Sequence, residues 1–353
     1  MTVGIDGLMR LRMDERLALA HPMLVRANWG SAVPKIIAGD ASNRRYARLS
    51  RENGDTAILM DAPPSKGEDV RPFVTVADYL SAQGLSAPRI LAKDSDLGFL
   101  LLEDLGDDVF ARVLEKDPDP ETELYEAATD VLIALHSRPL IELEPYDAVV
   151  MTDLAALAFD WYQLGATGKV DSTQRSEFCD AMHQLLLPLN REPRVVIQRD
   201  YHAENLIWLP DRTDVARVGL LDFQDARLGH PAYDLVSVLQ DARRDVSPEL
   251  EQHMIARYVA ARDLDMASFK DAYALLGVQR NLRILGVFSR LSLAYSKPHY
   301  VDLIPRVWGL LMRVLDAPIC ADVRDILKTA LPAPTKGILT SLKAQCGTHN
   351  IPS

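Results

Sequence analysis

Cysteine is scarce: three in 353 residues, Cys179, Cys320 and Cys346, far apart and with no CxxC pair. That spacing speaks against a disulfide framework or a thiolate metal site and fits a reducing compartment. Long apolar runs are missing as well. None approaches the roughly 20 residues needed to span a bilayer, and the opening MTVGIDGLMRLRMDER is charged throughout, without the apolar stretch of a signal peptide. Basic residues are in deficit, with 39 Lys and Arg against 50 Asp and Glu and a net charge of −11. A nucleic-acid binder needs a basic face to displace counterions from phosphate, so neither a nucleic-acid nor a membrane partner is expected. Any anionic ligand must be gripped by a local cluster of Arg or Lys against an adverse overall field. A soluble cytoplasmic chain is the expectation, with no oligomeric partner indicated and a monomer as the default.

What is present is the composition of an ordinary globular protein, 48% hydrophobic and 25% charged. Residues 6–30 have helical spacing (Leu8, Leu11, Leu17, Leu24), with Pro22 allowing two short helices instead. KIIAG, RYARLS and TAILMDAP then alternate with polar breaks, and Asn53-Gly54 predicts a type I′ hairpin with positive φ at both residues. Residues 35–62 therefore read as a three-stranded antiparallel meander. A helix is expected at 70–83, then strands RILAKD and GFLLLED, which complete a five-stranded sheet. EDLGDD at 103–108 is a natural hinge. The rest is mostly helical, including helices at 232–244, 248–263, 266–276 and 278–296, with strands returning at 195–223. The tail from residue 341 shows little packing signal and is expected to be loose.

The stretch VVIQRDYHAENLIWL, residues 195–209, breaks two apolar runs with Asp200 and, five residues on, Asn205. A third apolar segment, VARVGLLDF, ends near Asp222, seventeen residues after Asn205. Three antiparallel strands in series would gather two carboxylates and one amide at a sheet edge. Hard cations such as Mg²⁺ favour oxygen donors of this kind, completed by substrate phosphates. A carboxylate left over from the metal could take a proton from an attacking hydroxyl. Asp200 alone would be an ordinary turn residue; the three together are not.

RDYHAEN followed by LLDFQ resembles the catalytic and metal-binding motifs of the kinase-like fold. With LLDFQDARLGHPAYDLVSVL downstream, and no Asp-Phe-Gly or Ala-Pro-Glu triplet, the chain is similar to the aminoglycoside phosphotransferase family rather than to protein kinases. Within it, GDASNRRYARL, LMDAPP, FDWY and QRNLRILGVFSRL resemble the bacterial anomeric kinases of N-acetylmuramate and N-acetylglucosamine in cell-wall recycling. The resemblance implies an α+β, bilobal protein-kinase-like fold. It would have a helical extension at 1–30, a nucleotide-binding lobe at 31–105, a catalytic and substrate-binding lobe at 106–340, and the tail at 341–353. It also implies ATP and Mg²⁺ as cofactors and an amino sugar as substrate. Asp200 would be the base, Asn205 and Asp222 the metal ligands, and Asp234 a brace for the loop. Ser42, Asn43, Arg44 and Arg45 would cover the phosphates, with Glu103 and Leu105 at the adenine.

Other positions admit two readings. Arg280 and Arg283 form either a solvated basic stripe or a clamp for a sugar carboxylate. Asp160 and Trp161, with Tyr162, could face the sugar or belong to the core. His202 reads as loop packing or a substrate contact, and His136 as a structural histidine. One departure is plain: the third strand, which in this fold brings a phosphate-gripping Lys, has Met60 there. Arg44, Arg45 or Arg48 could supply the charge, with Lys66 following in a loop. An aminoglycoside or choline kinase of the same fold, or a scaffold without catalysis, are the alternatives.

Overall fold

Helix α1 (Ile5–Arg26) runs unbroken through Pro22, and its end explains why the chain begins its sheet where it does. Ala20, Met23 and Leu24, with Trp29 just beyond, are buried against Leu49, Ala57, Leu59, Phe99 and Leu101. A fully buried Leu or Phe contributes about 1.5–3 kcal/mol, so α1 closes one face of the sheet rather than standing apart as an extension. The computed structural model describes residues 5–37 and 43–350, with the backbone alone for residues 5–15.

The sheet contains β1 (Val33–Ile37), β2 (Arg45–Ser50), β3 (Thr56–Asp61), β4 (Ile90–Asp94) and β5 (Phe99–Glu103). Its order is β1-β2-β3-β5-β4, with every pair antiparallel. Helix α2 (Arg71–Ala82) lies between β3 and β4 in sequence, and α3 (Phe110–Lys116) follows β5. The two-residue side-chain period of a strand sends Leu49, Ala57 and Leu59 toward α1. Tyr46, Arg48 and Ile58 therefore fall on the other face.

The β2–β3 turn differs from the expected type I′. Gly54 takes a positive φ of 92°, but Asn53 is not among the positive-φ residues. Asn53 acts through its side chain instead. Its Oδ1 accepts the Asp55 N–H at 3.1 Å and its Nδ2 donates to the Asp55 carboxylate at 2.9 Å. The Arg51 N–H donates to the Asp55 carbonyl at 2.9 Å and closes a longer loop. Asn in turns characteristically bonds the backbone two residues on.

The chain forms two compact units. The first comprises Met1–Lys116 and Glu204–Asp225; the second comprises Asp117–Ala203 and Ala226–Ser353. The second begins with α4 (Glu121–Leu135) and α5 (Ala148–Leu157), capped by the Asp147 side chain on the Val150 N–H. Helix α5 widens into one π-type turn, Ala158–Gln163, before α6 (Leu164–Thr167) and α7 (Ser172–Leu186). Strand β6 (Val195–Ile197) leads to the polar loop; β7 (Leu206–Trp208) and β8 (Val218–Leu220) belong to the first unit, and β9 (Arg227–Gly229) to the second. The expected series of three strands is therefore two separate ribbons, β6 with β9 and β7 with β8. Four residues separate Asp200 from Asn205, and the chain passes from the second unit to the first within them.

Helices α8 (Ala232–Leu239), α9 (Pro248–Ala261), α10 (Met266–Leu293), α11 (Ile304–Leu315), α12 (Ala321–Ala330) and α13 (Lys336–Ala344) follow. The two helices expected on either side of residue 277 are one, α10. Gly277 is not a breaker but a point of close approach. A Cβ there would lie 3.0 Å from Gln240 Oε1 and 3.1 Å from Val314 Cγ1. The tail is not loose through residue 350 either. Leu342 is buried, Gln345 Nε2 donates to the Gly165 carbonyl at 2.9 Å, and the Gly347 and His349 N–H groups bond the Ser292 and Leu293 carbonyls at 3.0 and 3.1 Å. These three backbone and amide bonds offset the weak apolar pattern that suggests looseness.

Candidate active site

The first unit holds a cavity of about 500 Å³. Ile37, Ile58, Leu102 and Ile207 supply apolar walls, and Glu103–Asp107 forms one edge. Asn205 and Asp222 line the same cavity, brought together by the β7–β8 ribbon. Register pairs Leu206 with Leu220, so the next residues outward meet: the Leu221 N–H donates to the Asn205 carbonyl at 3.0 Å. Asp222 then turns with φ of 57°, and Gln224 Nε2 donates to its Oδ1 at 2.7 Å. Phe223, directly after it, is buried against the Phe73 ring at 4.8 Å. The positive φ thus sends consecutive side chains to opposite tasks, one into apolar packing and one into the cavity. Such backbone strain persists where surroundings over-determine it, as at working sites.

Of the residues assigned to a nucleotide, Ser42 lies outside the described residues. Asn43 is exposed, its N–H donating to Glu68 Oε1 at 3.2 Å and its Nδ2 to the Lys66 carbonyl at 3.3 Å. Arg44 lines the cavity and pairs with Glu68 at 2.9 Å. Arg45 faces the opposite side of the sheet, 2.8 Å from Asp61, which Arg16 also holds at 2.7 Å. Arg48 lines the cavity but binds Asp104 at 2.6 Å and Asp107 at 2.7 Å. Glu103 is held by Arg89 and Arg212 at 3.2 and 2.9 Å, and Leu105 lines the cavity beside it. Met60 is buried, which leaves β3 without a cation on the cavity face.

The second unit holds Asp200 in a different setting. Arg283 Nη1 lies 3.7 Å from Asp200 Oδ1. Burial pushes the Asp200 carboxyl up, but Arg283, Arg199, Arg280 and His202 more than offset it, and the group sits below the usual carboxylate range. Arg280 is 3% exposed, its Nη1 donating to the Gln240 carbonyl at 3.4 Å. Neither arginine is part of a solvated stripe, because α10 is enclosed along this stretch. Burial pushes His202 down to about 4, so the imidazole is neutral at pH 7. Asp160 is engaged elsewhere, by Arg175 at 2.8 and 3.1 Å. Trp161 and Tyr162 are both buried, and the Tyr162 hydroxyl donates to the Pro332 carbonyl at 2.7 Å. Their surroundings are those of core residues.

The loop that carries Asp200 is held at both ends. Asp234, on α8, accepts the Gln198 N–H at 2.6 Å and the Arg199 N–H at 2.9 Å. Burial pushes its carboxyl up to about 7 against those two bonds. Arg199 has φ of 72°, costly for a bulky side chain, and Ser237 Oγ donates to its carbonyl at 3.2 Å. At the far end, Asp241 accepts the Ala203 N–H at 3.2 Å and the Arg243 N–H at 2.8 Å. Tyr201 anchors the middle on the Ala128 carbonyl at 2.8 Å. Sequence reasoning found Asp234 but missed Ser237, Asp241 and Glu68. Asp241 follows α8 by two residues in LQDARRD, a position that its acid-after-helix pattern could have flagged.

Residues 34–269 match the phosphotransferase enzyme family. The chain belongs to that family. It is 38% identical over 360 residues to an N-acetylmuramate/N-acetylglucosamine kinase of Caulobacter vibrioides, covering 92% of this chain and 99% of that protein. It is 35% identical to the protein of the same name from Pseudomonas aeruginosa, covering 86% of this chain and 91% of that one. Among solved structures, a choline/ethanolamine kinase family protein from Mesorhizobium loti superposes with a TM-score of 0.61 at 12% identity, over 90% of this chain and 99% of that one. The phosphotransferase therefore has the kinase-like fold. No helix among its described residues is long and apolar enough to cross a membrane.

Proposed function

We propose that this phosphotransferase uses ATP and Mg²⁺ to phosphorylate the anomeric hydroxyl of N-acetylmuramate or N-acetylglucosamine, in the cytoplasm, within the recycling of cell-wall sugars. The shared name of its relatives supports the acceptor. One observation carries the choice within the family: Asp200 is surrounded by Arg199, Arg280 and Arg283 in a chain whose net charge is −11. A polycationic aminoglycoside or a choline cation would be repelled by that cluster, whereas an acid-bearing sugar is attracted.

In this reading Asp200 takes the proton of the attacking hydroxyl. Its carboxyl is ionised well below neutrality, and an anomeric hydroxyl is more acidic than an ordinary alcohol. A loose phosphoryl transition state asks little of the base, so positioning and charge do most of the work. Asp234 and Asp241 hold the loop that presents it. Asn205 and Asp222 offer an oxygen-only donor set that suits Mg²⁺, which fills its remaining positions from phosphates and water. Bound there, the metal supplies neutralisation of phosphate charge. The Glu103–Leu105 backbone serves the adenine, and the turn ending at Asn43 and Arg44 serves the phosphates.

The test is ATP consumption with N-acetylmuramate, N-acetylglucosamine, kanamycin and choline as acceptors, with Asp200→Ala alongside. Turnover on the two sugars, lost in Asp200→Ala, is expected. Faster turnover on kanamycin or choline would refute the acceptor, and undiminished turnover in Asp200→Ala would refute the base.

A further inference from the structure

Three arginines line the nucleotide cavity, and their partners sort them. Arg48 is held by Asp104 and Asp107 at 2.6 and 2.7 Å, which ties β2 to the segment after β5. Arg112, on α3, reaches the Asp107 carbonyl at 3.5 Å, in the same segment. Arg44 lies just before β2 and shares the cavity with Asp222 and Glu68. Its Nε is 2.9 Å from Glu68 Oε2, with the two side chains only 14% and 13% exposed.

Glu68 does more than neutralise it. Its other oxygen accepts the Asn43 N–H at 3.2 Å, so one carboxylate fixes both the backbone entering Arg44 and the guanidinium at its tip. Asn43 Nδ2 adds a bond to the Lys66 carbonyl at 3.3 Å. Strand β3 brings no cation here: Met60 pairs with Tyr46 across the β2–β3 ladder and is 1% exposed. The Asp222 charge also acts on Arg44, so the guanidinium stands within electrostatic reach of the assigned metal ligand. A planar guanidinium offers several donors in a fork that matches phosphate oxygens, and a carboxylate on one edge sets the fork's direction.

We propose that Arg44 grips the polyphosphate of the donor nucleotide in place of the strand lysine that this chain lacks, and that Glu68 is the positioning residue that aims it. The proposal rests on the reading of a nucleoside triphosphate donor.

Calorimetric titration of the full chain with Mg·ATP and, separately, with adenosine tests it. Arg44→Ala is expected to weaken ATP binding by about tenfold or more, the scale of one charge-assisted contact, while adenosine affinity stays within about twofold. Arg44→Lys recovers part of the loss. Glu68→Gln is expected to weaken ATP by several-fold, again sparing adenosine, and to add nothing on top of Arg44→Ala because it acts through that residue. ATP binding within twofold of wild type in Arg44→Ala would overturn the proposal, as would equal loss of ATP and adenosine. Additive losses in the double variant would remove Glu68 from its role. A wild-type chain that binds neither probe would overturn the nucleotide reading itself, whereas wild-type binding with unaffected variants refutes only the assignment of Arg44.

Discussion

Arg283 Nη1 stands 3.7 Å from Asp200 Oδ1, on a helix that is buried around it. Burial alone would raise the Asp200 carboxyl, and the arginine is the largest of the charges that reverse this. The carboxyl is therefore held below the usual carboxylate range and is ionised throughout the neutral range, as the proposed base must be. In Arg283→Met the burial remains and the main offset is gone, so the carboxyl pKa rises. The acid limb of kcat/KM should move upward. A pH–rate profile of the variant from pH 4.5 to 8.5 that overlays the wild type would contradict the pairing.

Loss of Asp241 should act on turnover rather than on nucleotide affinity. Its carboxylate holds the Ala203 N–H, just past Asp200 and His202, and Asp241 does not line the cavity of the first unit. Small misplacement of a reacting group is costly. Asp241→Ala should lower kcat by about ten- to a hundredfold and leave the KM for ATP within about twofold. Steady-state kinetics separates the two, and an equal rise in KM for ATP would point to a general loss of structure instead.

Much of this was readable in advance, for physical reasons that differ by element. The five strands of the sheet alternate or run apolar between turn residues, and the 2-residue period survives packing. Asp200, Asn205 and Asp222 stand out in the sequence by a spacing that resembles the kinase-like motifs, and Asp234, expected as a brace, is found bonded to the Gln198 and Arg199 N–H groups. Other features depend on contacts far along the chain. Gly277 looks like a helix breaker until Gln240 is seen against it. Arg280 looks like a surface cation until its helix is found enclosed, and Arg45 and Arg44 look interchangeable until the pleat sends one to Asp61 and the other to Glu68. The tail looks loose in sequence because its fastening is by hydrogen bonds, which leave no hydrophobic period.

Asn205 and Asp222 should fail in a metal-dependent way. Asp222→Asn keeps the side-chain shape and removes the charge, so kcat should fall by about two orders of magnitude or more. Asn205→Ala removes a neutral donor and should chiefly raise the Mg²⁺ concentration needed for half-maximal rate. Chelation of divalent cations should abolish turnover of the wild type. Titration of rate against Mg²⁺ checks all three, and a wild type insensitive to chelator would exclude the metal site.

Acid stability should follow the buried His136. His136 Nδ1 is 2.6 Å from the Tyr258 hydroxyl, and burial, aided by Arg262 and His230, pushes its imidazole down to about 3 from the usual 6.5. Between those values the unfolded chain binds a proton that the native state refuses. Stability from this group is therefore complete above about pH 6.5 and falls as pH drops toward 3, with about 2 kcal/mol lost by pH 5. His202, pushed down to about 4, adds in the same direction. His136→Leu leaves the Tyr258 hydroxyl without this partner and should start about 1–3 kcal/mol less stable at pH 7.5. Its loss of stability between pH 7 and pH 5 should be shallower than that of the wild type. Urea unfolding at a series of pH values measures both, and an unchanged slope would show that His136 is not held neutral by the fold.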